Sequence, residues 1–265
     1  MFGNILTGQK SDSNLIILSL TSGCREKQAV YNMENKFQRP EQQCTTCEFK
    51  SPLFCFLSEE ELNLVEKSKI TVRFKKGETI RKQGTFMSHV ISINSGLAKV
   101  FLEGIEQRSA IIRIVKPTNF IGGPGIYLDQ RHHFTITALT DTTVCFIELS
   151  VFTDIIDTNR SFAHEFMKDY SKNILSVYNR LLILTQKQMP GRMADTLLYL
   201  FEEIFESPKF TMHLSRQDIS ELSGMSKDSA VKILREFQND GIINLNENEM
   251  ELIDREALHR ISRTG

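Results

Sequence analysis

The spacing of hydrophobic positions changes character along this 265-residue chain. Between Ile70 and about Val151, short β-branched and aromatic runs alternate with glycine turns: "KITVRF", "HVISIN", "LAKVFL", "SAIIRIV", "HFTITAL" and "TTVCFIEL". Many short strands at this spacing predict an antiparallel barrel or roll. Just before them, "SEEELNLVEKSK" (Ser58 to Lys69) predicts a short helix with a serine cap and early acids.

After Ser161 the period becomes helical. Met167, Tyr170, Ile174, Val177, Leu181 and Leu184 step by three and four residues, a heptad seam on a helix of roughly 25 residues. Such a seam is filled by the chain's own β domain or by a second copy. The helix is longer than one β domain requires, and Leu182 and Ile183 add apolar surface beyond the seam, so a parallel dimer helix is expected. Pro190-Gly191 then breaks the pattern, and "RMADTLLYLFEEIF" opens a second domain.

In that domain, "LSRQDISELSGMSKDSAVKILREFQNDGII" predicts two helices joined by a tight glycine turn. Ser215 caps the first, with Asp218 three residues on. Gly224 supplies the turn, and Ser226 caps the second helix. Ala230, Ile233, Leu234 and Phe237 form a buried stripe there. The segment "IINLNENEMELID" alternates about a turn at Asn246 to Asn248, as a wing would. This is the spacing of a winged helix-turn-helix. Ser226, Lys227, Asp228, Ser229 and Lys232 can offer donors and acceptors to base edges, and Ser215 and Arg216 can hold phosphates. The same pattern also suits a protein–protein module with an ordinary solvated face.

The fold class is therefore α+β, in four parts. Residues 1–43 read as a disordered extension. Residues 44–160 read as a β-roll preceded by a cysteine segment, 161–188 as the dimer helix, and 189–265 as the winged head. Within the extension, the run Leu15 to Leu20 is short for a signal peptide, and Met33 begins a second polar start. Residues 1–32 thus read as the result of an upstream start codon rather than as a secretion signal.

A formal net charge of −1 excludes a strongly basic nucleic-acid binder as a whole-chain description, but leaves room for a local patch. No apolar run approaches the length of a membrane span. Nor is there a Ser/His/Asp arrangement, P-loop or metalloprotease signature, so an enzyme is not expected. Five cysteines (Cys24, Cys44, Cys47, Cys55 and Cys145) are an odd number, three of them within twelve residues. They suit ligation or redox chemistry in a cytoplasmic protein better than a secreted disulfide framework.

Taken together, the order of roll, long seam helix and winged head resembles the Crp/Fnr family of transcription regulators over roughly Cys44 to Arg260. "FKKGETIRKQG", "INSGLAKVF" and "KPTNFIGGPG" look like its roll signature, and "DISELSGMSKDSAVKILREFQNDGII" like its recognition module. The resemblance implies a homodimer on a pseudo-palindromic duplex, with RNA polymerase as a further partner. Family members read bases from positions matching Lys227, Asp228 and Lys232, where arginine or valine, glutamate and arginine are common. Lysine and a shorter acid replace them here, so the groove-reading role carries over better than the target sequence.

Members that bind cyclic nucleotides use a glutamate where Gly123 stands and an Arg-Ser pair where His132-His133 stands. Arg131 could rescue one phosphate contact, but nothing replaces the acid, so cyclic AMP is not the expected effector. The histidines read as surface residues. The oxygen-sensing branch holds a [4Fe–4S] cluster on an N-terminal cysteine group plus one cysteine of a late roll strand. Cys44, Cys47 and Cys145 match it, whereas Cys55 follows a gap two residues longer. Four thiols suit an iron–sulfur cluster, zinc or a redox disulfide, and Cys55 and Cys145 equally suit plain packing. A second function class remains open: a ligand-binding regulatory subunit that acts on a protein partner.

Overall fold

The computed structural model describes residues 43–47, 49–105 and 109–265. The extension and Cys24 lie outside these residues. The turn Pro52–Phe56 leads into α1 (Glu59–Ser68), whose capping box joins Ser58 and Glu61. Among the described residues eight strands follow: β1 (Lys69–Phe74), β2 (Thr79–Arg81), β3 (His89–Ser95), β4 (Ala98–Glu103), β5 (Ser109–Val115), β6 (Phe120–Ile121), β7 (Thr135–Ala138) and β8 (Thr142–Glu148). They form two antiparallel four-stranded sheets, ordered β1-β8-β3-β6 and β2-β7-β4-β5. Ile91, Ile93, Val100, Ile136, Val144 and Phe146 belong to one buried cluster of this roll. The alternation read from "TTVCFIEL" has a plain reason, since Val144 and Phe146 are buried while Cys145 between them is only half-buried. Gly96 is fixed by geometry. Its φ is +82°, and an added Cβ would lie 2.3 Å from the Asp141 carbonyl oxygen.

Leaving the roll, α2 (Leu149–Thr158) ends at Asn159, whose side chain accepts from Phe162 N–H and starts α3 (Arg160–Gln186). The phenylalanines concentrate at this joint. Phe120 stacks on Phe152 at 4.9 Å between ring centroids, and Phe162 and Phe166 meet Phe152 edge-on. Removing the Phe152 side chain would empty the centre of this cluster.

Only the first turns of α3 are buried. Met167, Leu175, Val177, Tyr178, Leu181 and Leu182 are all exposed large hydrophobics. Of the six seam residues, Met167, Val177 and Leu181 face outward, and Tyr170, Ile174 and Leu184 are half-buried on their own chain. Tyr178, eleven residues after Met167 and so about three turns on, shares that residue's face. Beyond α3, Pro190 occupies the first turn of α4 (Met189–Leu198), a position that needs no N–H. A π-helical stretch, Tyr199–Ile204, continues α4.

Candidate nucleic-acid interface and cysteine pocket

The head consists of α4, β9 (Lys209–Thr211), α5 (Arg216–Ser223), α6 (Lys227–Asn239), β10 (Ile243–Asn246), β11 (Glu249–Leu252) and α7 (Arg255–Thr264). Its strands pair in the order β10-β11-β9, so the wing hairpin gains a third strand. Asp218 closes the capping box on Ser215, and Gly224 ends α5 in the left-handed region at φ +63°. Ser226 caps α6, accepting from Ser229 N–H at 3.1 Å. Ala230, Ile233, Leu234 and Phe237 are buried, which turns Lys227, Asp228 and Lys232 to solvent.

The predicted contacts divide by what already occupies them. The Ser226 hydroxyl donates to Ser229 Oγ at 2.9 Å, and Ser215 Oγ donates to Asp218 at 2.7 Å. Those serines shape helix ends first; Lys227 and Asp228 are exposed, and Lys232, also exposed, lies 3.8 Å from Glu236 on the same helix. Arg192 donates to the Gly224 carbonyl at 3.1 Å and fixes the turn between α5 and α6.

Cys44, Cys47 and Cys145 line one small pocket, together with Phe54, Lys69, Ser92 and Asn94. Register places Cys145 between Thr71 and Ser92 of the neighbouring strands β1 and β3. Thr71 Oγ1 lies 3.7 Å from Cys145 Sγ, and Asn94 Nδ2 donates to the same sulfur at 3.9 Å. Burial and a hydrogen bond with Glu66 push the Cys44 thiol up to about 12, and burial also raises Cys47. These thiols are neutral as they stand, so binding a metal must displace protons. Lys69, paired with Glu66 at 2.9 Å, places an ammonium beside them.

Cys55 lies apart. It is exposed, lines a separate open cleft with Glu61 and Asn159, and its sulfur is already in a disulfide. Three of the four sulfurs thus come together and the fourth does not. Among the described residues, no three His, Cys, Asp or Glu side chains are arranged to hold a metal ion as they stand.

Arg131, adjacent to the His132-His133 pair, donates to the Gly84 carbonyl at 2.8 Å. His133 meets Asp129 at 3.1 Å. His132 corrects the reading of both histidines as surface residues. It is 2% exposed, and neither ring nitrogen has a hydrogen-bond partner. Burial, then Arg81 and His133, lower it to about 4 from 6.5. The neutral form is favoured in the folded chain, so His132's contribution is complete above 6.5 and is lost as pH falls towards 4. Acidification from about pH 7 to 5 is expected to remove about 2 kcal/mol of stability. Urea titrations of wild type and His132→Leu check this, since the variant should lose that part of the pH slope.

Residues 71–159 match the cyclic nucleotide-binding domain, and residues 191–261 match the Crp-like helix-turn-helix domain. A roll of the first kind carrying a head of the second defines a DNA-binding transcription regulator rather than an enzyme. The chain belongs to the Crp/Fnr family. The transcriptional regulatory protein btr of Bordetella pertussis is 24% identical over 202 residues, spanning 75% of this chain and 83% of that protein. The transcriptional activator FnrA of Stutzerimonas stutzeri is 24% identical over 184 residues, 68% and 75% of the two chains. In fold, the chain is similar to FixK2 of Bradyrhizobium japonicum, with a TM-score of 0.69, 18% identity, and coverage of 74% of this chain and 98% of that one. No helix among the described residues is long and apolar enough to cross a membrane.

Proposed function

We propose that this regulator is a homodimer that senses oxygen or redox state through a [4Fe–4S] cluster on Cys44, Cys47, Cys55 and Cys145. The observation that carries the reading is the convergence of Cys44 and Cys47, from the segment before the roll, with Cys145 of β8 on one pocket. Cys55 directly follows pocket-lining Phe54, but a 3₁₀ turn sends consecutive side chains about 120° apart. Once its disulfide is reduced, a rotation of this short turn brings the fourth thiol over the pocket. When bound, the cluster supplies an oxygen-labile centre tying the N-terminal segment to the roll. Lys69 offsets the charge of the thiolates.

The exposed apolar face of α3 supports the dimer, pairing two heads for half-sites about 34 Å apart. RNA polymerase is the proposed partner on the promoter. With Gly123 in place of the glutamate and His132-His133 in place of the Arg-Ser pair, cyclic AMP is not the proposed signal.

The test is the absorbance spectrum, with iron, sulfide and zinc content, of protein purified without oxygen under reducing conditions. A broad visible band that bleaches in air, with about four iron and four sulfide per chain, is expected. Zinc alone would replace the cluster reading, and a colourless, metal-free protein after reconstitution would end it.

A further inference from the structure

We infer that Lys99, a residue of the roll, is a positioning residue for DNA reading, because it holds the helix-turn-helix in register by bridging Asp218 and Glu221 of α5. Lys99 stands on β4, and its Nζ lies 2.6 Å from Asp218 Oδ1 and 3.8 Å from Glu221 Oε2. All three side chains are largely buried: 18%, 10% and 12% exposed. Glu221 Oε2 is buried without a hydrogen-bond partner, which leaves Lys99 as the cation facing it. The ammonium therefore compensates two carboxylates that would otherwise sit in a dry interface.

The bridge reaches the reading surface through few joints. Asp218 accepts from Lys99 with one oxygen, while the other accepts from Ser215 N–H at 2.8 Å and Ser215 Oγ at 2.7 Å. The same carboxylate thus ties the N-terminus of α5 to the roll. At its other end, α5 passes through Gly224 into α6, with Arg192 bonded to the turn. Lys227, Asp228 and Lys232 are exposed, so this mount orients the reading face without covering it.

Further contacts carry the head at the end of the roll's edge strand β5 and just beyond it. Ile114 N–H donates to Tyr199 Oη at 2.9 Å, and Lys116 donates to the Glu203 carbonyl at 2.7 Å. They grip the π-helical stretch, while α5 packs on β5 and is tied to β4 by Lys99. Ordinary domain packing would need no charge here. An aliphatic residue on β4 would bury as well, and two acids on α5 would then be a liability.

The inference rests on the DNA-binding activity of the family and is independent of the cysteine pocket. The probe is a duplex enriched by the wild-type chain from a randomised pool, set against a random-sequence duplex. Lys99→Met, which keeps the aliphatic stem, is expected to weaken binding to the enriched duplex roughly tenfold. Binding to random duplex should stay within about twofold, because phosphate contacts do not depend on register. Lys99→Arg should restore wild-type discrimination, and α5 amides of Lys99→Met should exchange hydrogen faster. If Lys99→Met does not fold, Lys99→Gln replaces it, with the same direction expected. A folded variant that lacks the lysine yet binds the enriched duplex as well as wild type, or better, overturns the inference. A wild type that enriches no duplex overturns it together with the DNA-reading assignment.

Discussion

Cys145→Ala protein, purified without oxygen, is expected to be colourless. Its iron should fall from about four atoms per chain to a small fraction, because a cluster deprived of the roll-strand thiolate loses its only ligand outside the N-terminal segment. The substitution separates ligation from folding. Cys145 is half-buried on the outer face of β8, flanked by Thr71 and Ser92, whereas its neighbours Val144 and Phe146 fill the roll interior. Removing one sulfur from that polar row should cost about 1 kcal/mol or less, within the range of ordinary partly exposed sites. Thermal melts of apo wild type and apo variant should therefore nearly coincide while iron content differs severalfold. Cys55→Ala extends the test. Iron loss there would make the exposed cysteine the fourth ligand despite its place outside the pocket. A Cys145→Ala protein that keeps full iron would remove Cys145 from the ligand set.

How legible these features were depends on their length in sequence. Strands of six or seven residues, such as β1, β3, β5 and β8, show enough alternation to be read directly. β2 and β6, with three and two residues, complete the two sheets but carry too few positions for any period. The helix α2 follows β8 at once, with no glycine between, so its start was hidden inside the last strand. In the head, capping serines and Gly224 mark their own helix ends, because the chemistry that stops a helix lies within four residues of it.

Contacts across long separations left no such trace. Lys99 and Asp218 are 119 residues apart, and nothing near either one announces the other. His132 was misread for a related reason. A histidine beside an arginine and a second histidine looks solvated, and only the fold shows that its ring is enclosed. The cysteines fall between these cases. Spacing grouped Cys44 with Cys47, and family likeness added Cys145, but nothing in sequence could show that Cys55 turns to the opposite side of its short helix.

The heptad seam on α3 is the other partial reading, and the face it points to carries the second large prediction. A 3.5-residue repeat chose Leu184 and passed over Tyr178. A straight helix drifts from that repeat by about 20° every seven residues, which brings Tyr178 to the outward face and turns Leu184 towards Gly224 of its own chain. Tyr178→Glu combined with Leu181→Glu is therefore expected to yield a monomer in sedimentation at micromolar concentration. Both side chains are about 60% exposed in the single chain, so the substitution should hardly affect the fold of one copy. In a parallel pair, residues near the two-fold axis meet their own counterparts, and each glutamate would face a like charge in an apolar seam. Losing the partner head removes the effective concentration that couples two half-sites, so affinity for a two-half-site duplex should drop at least about a hundredfold. Affinity for a single half-site should change little, since Lys227, Asp228 and Lys232 lie on a different helix. A double variant that still sediments as a dimer would move the interface off this face of α3.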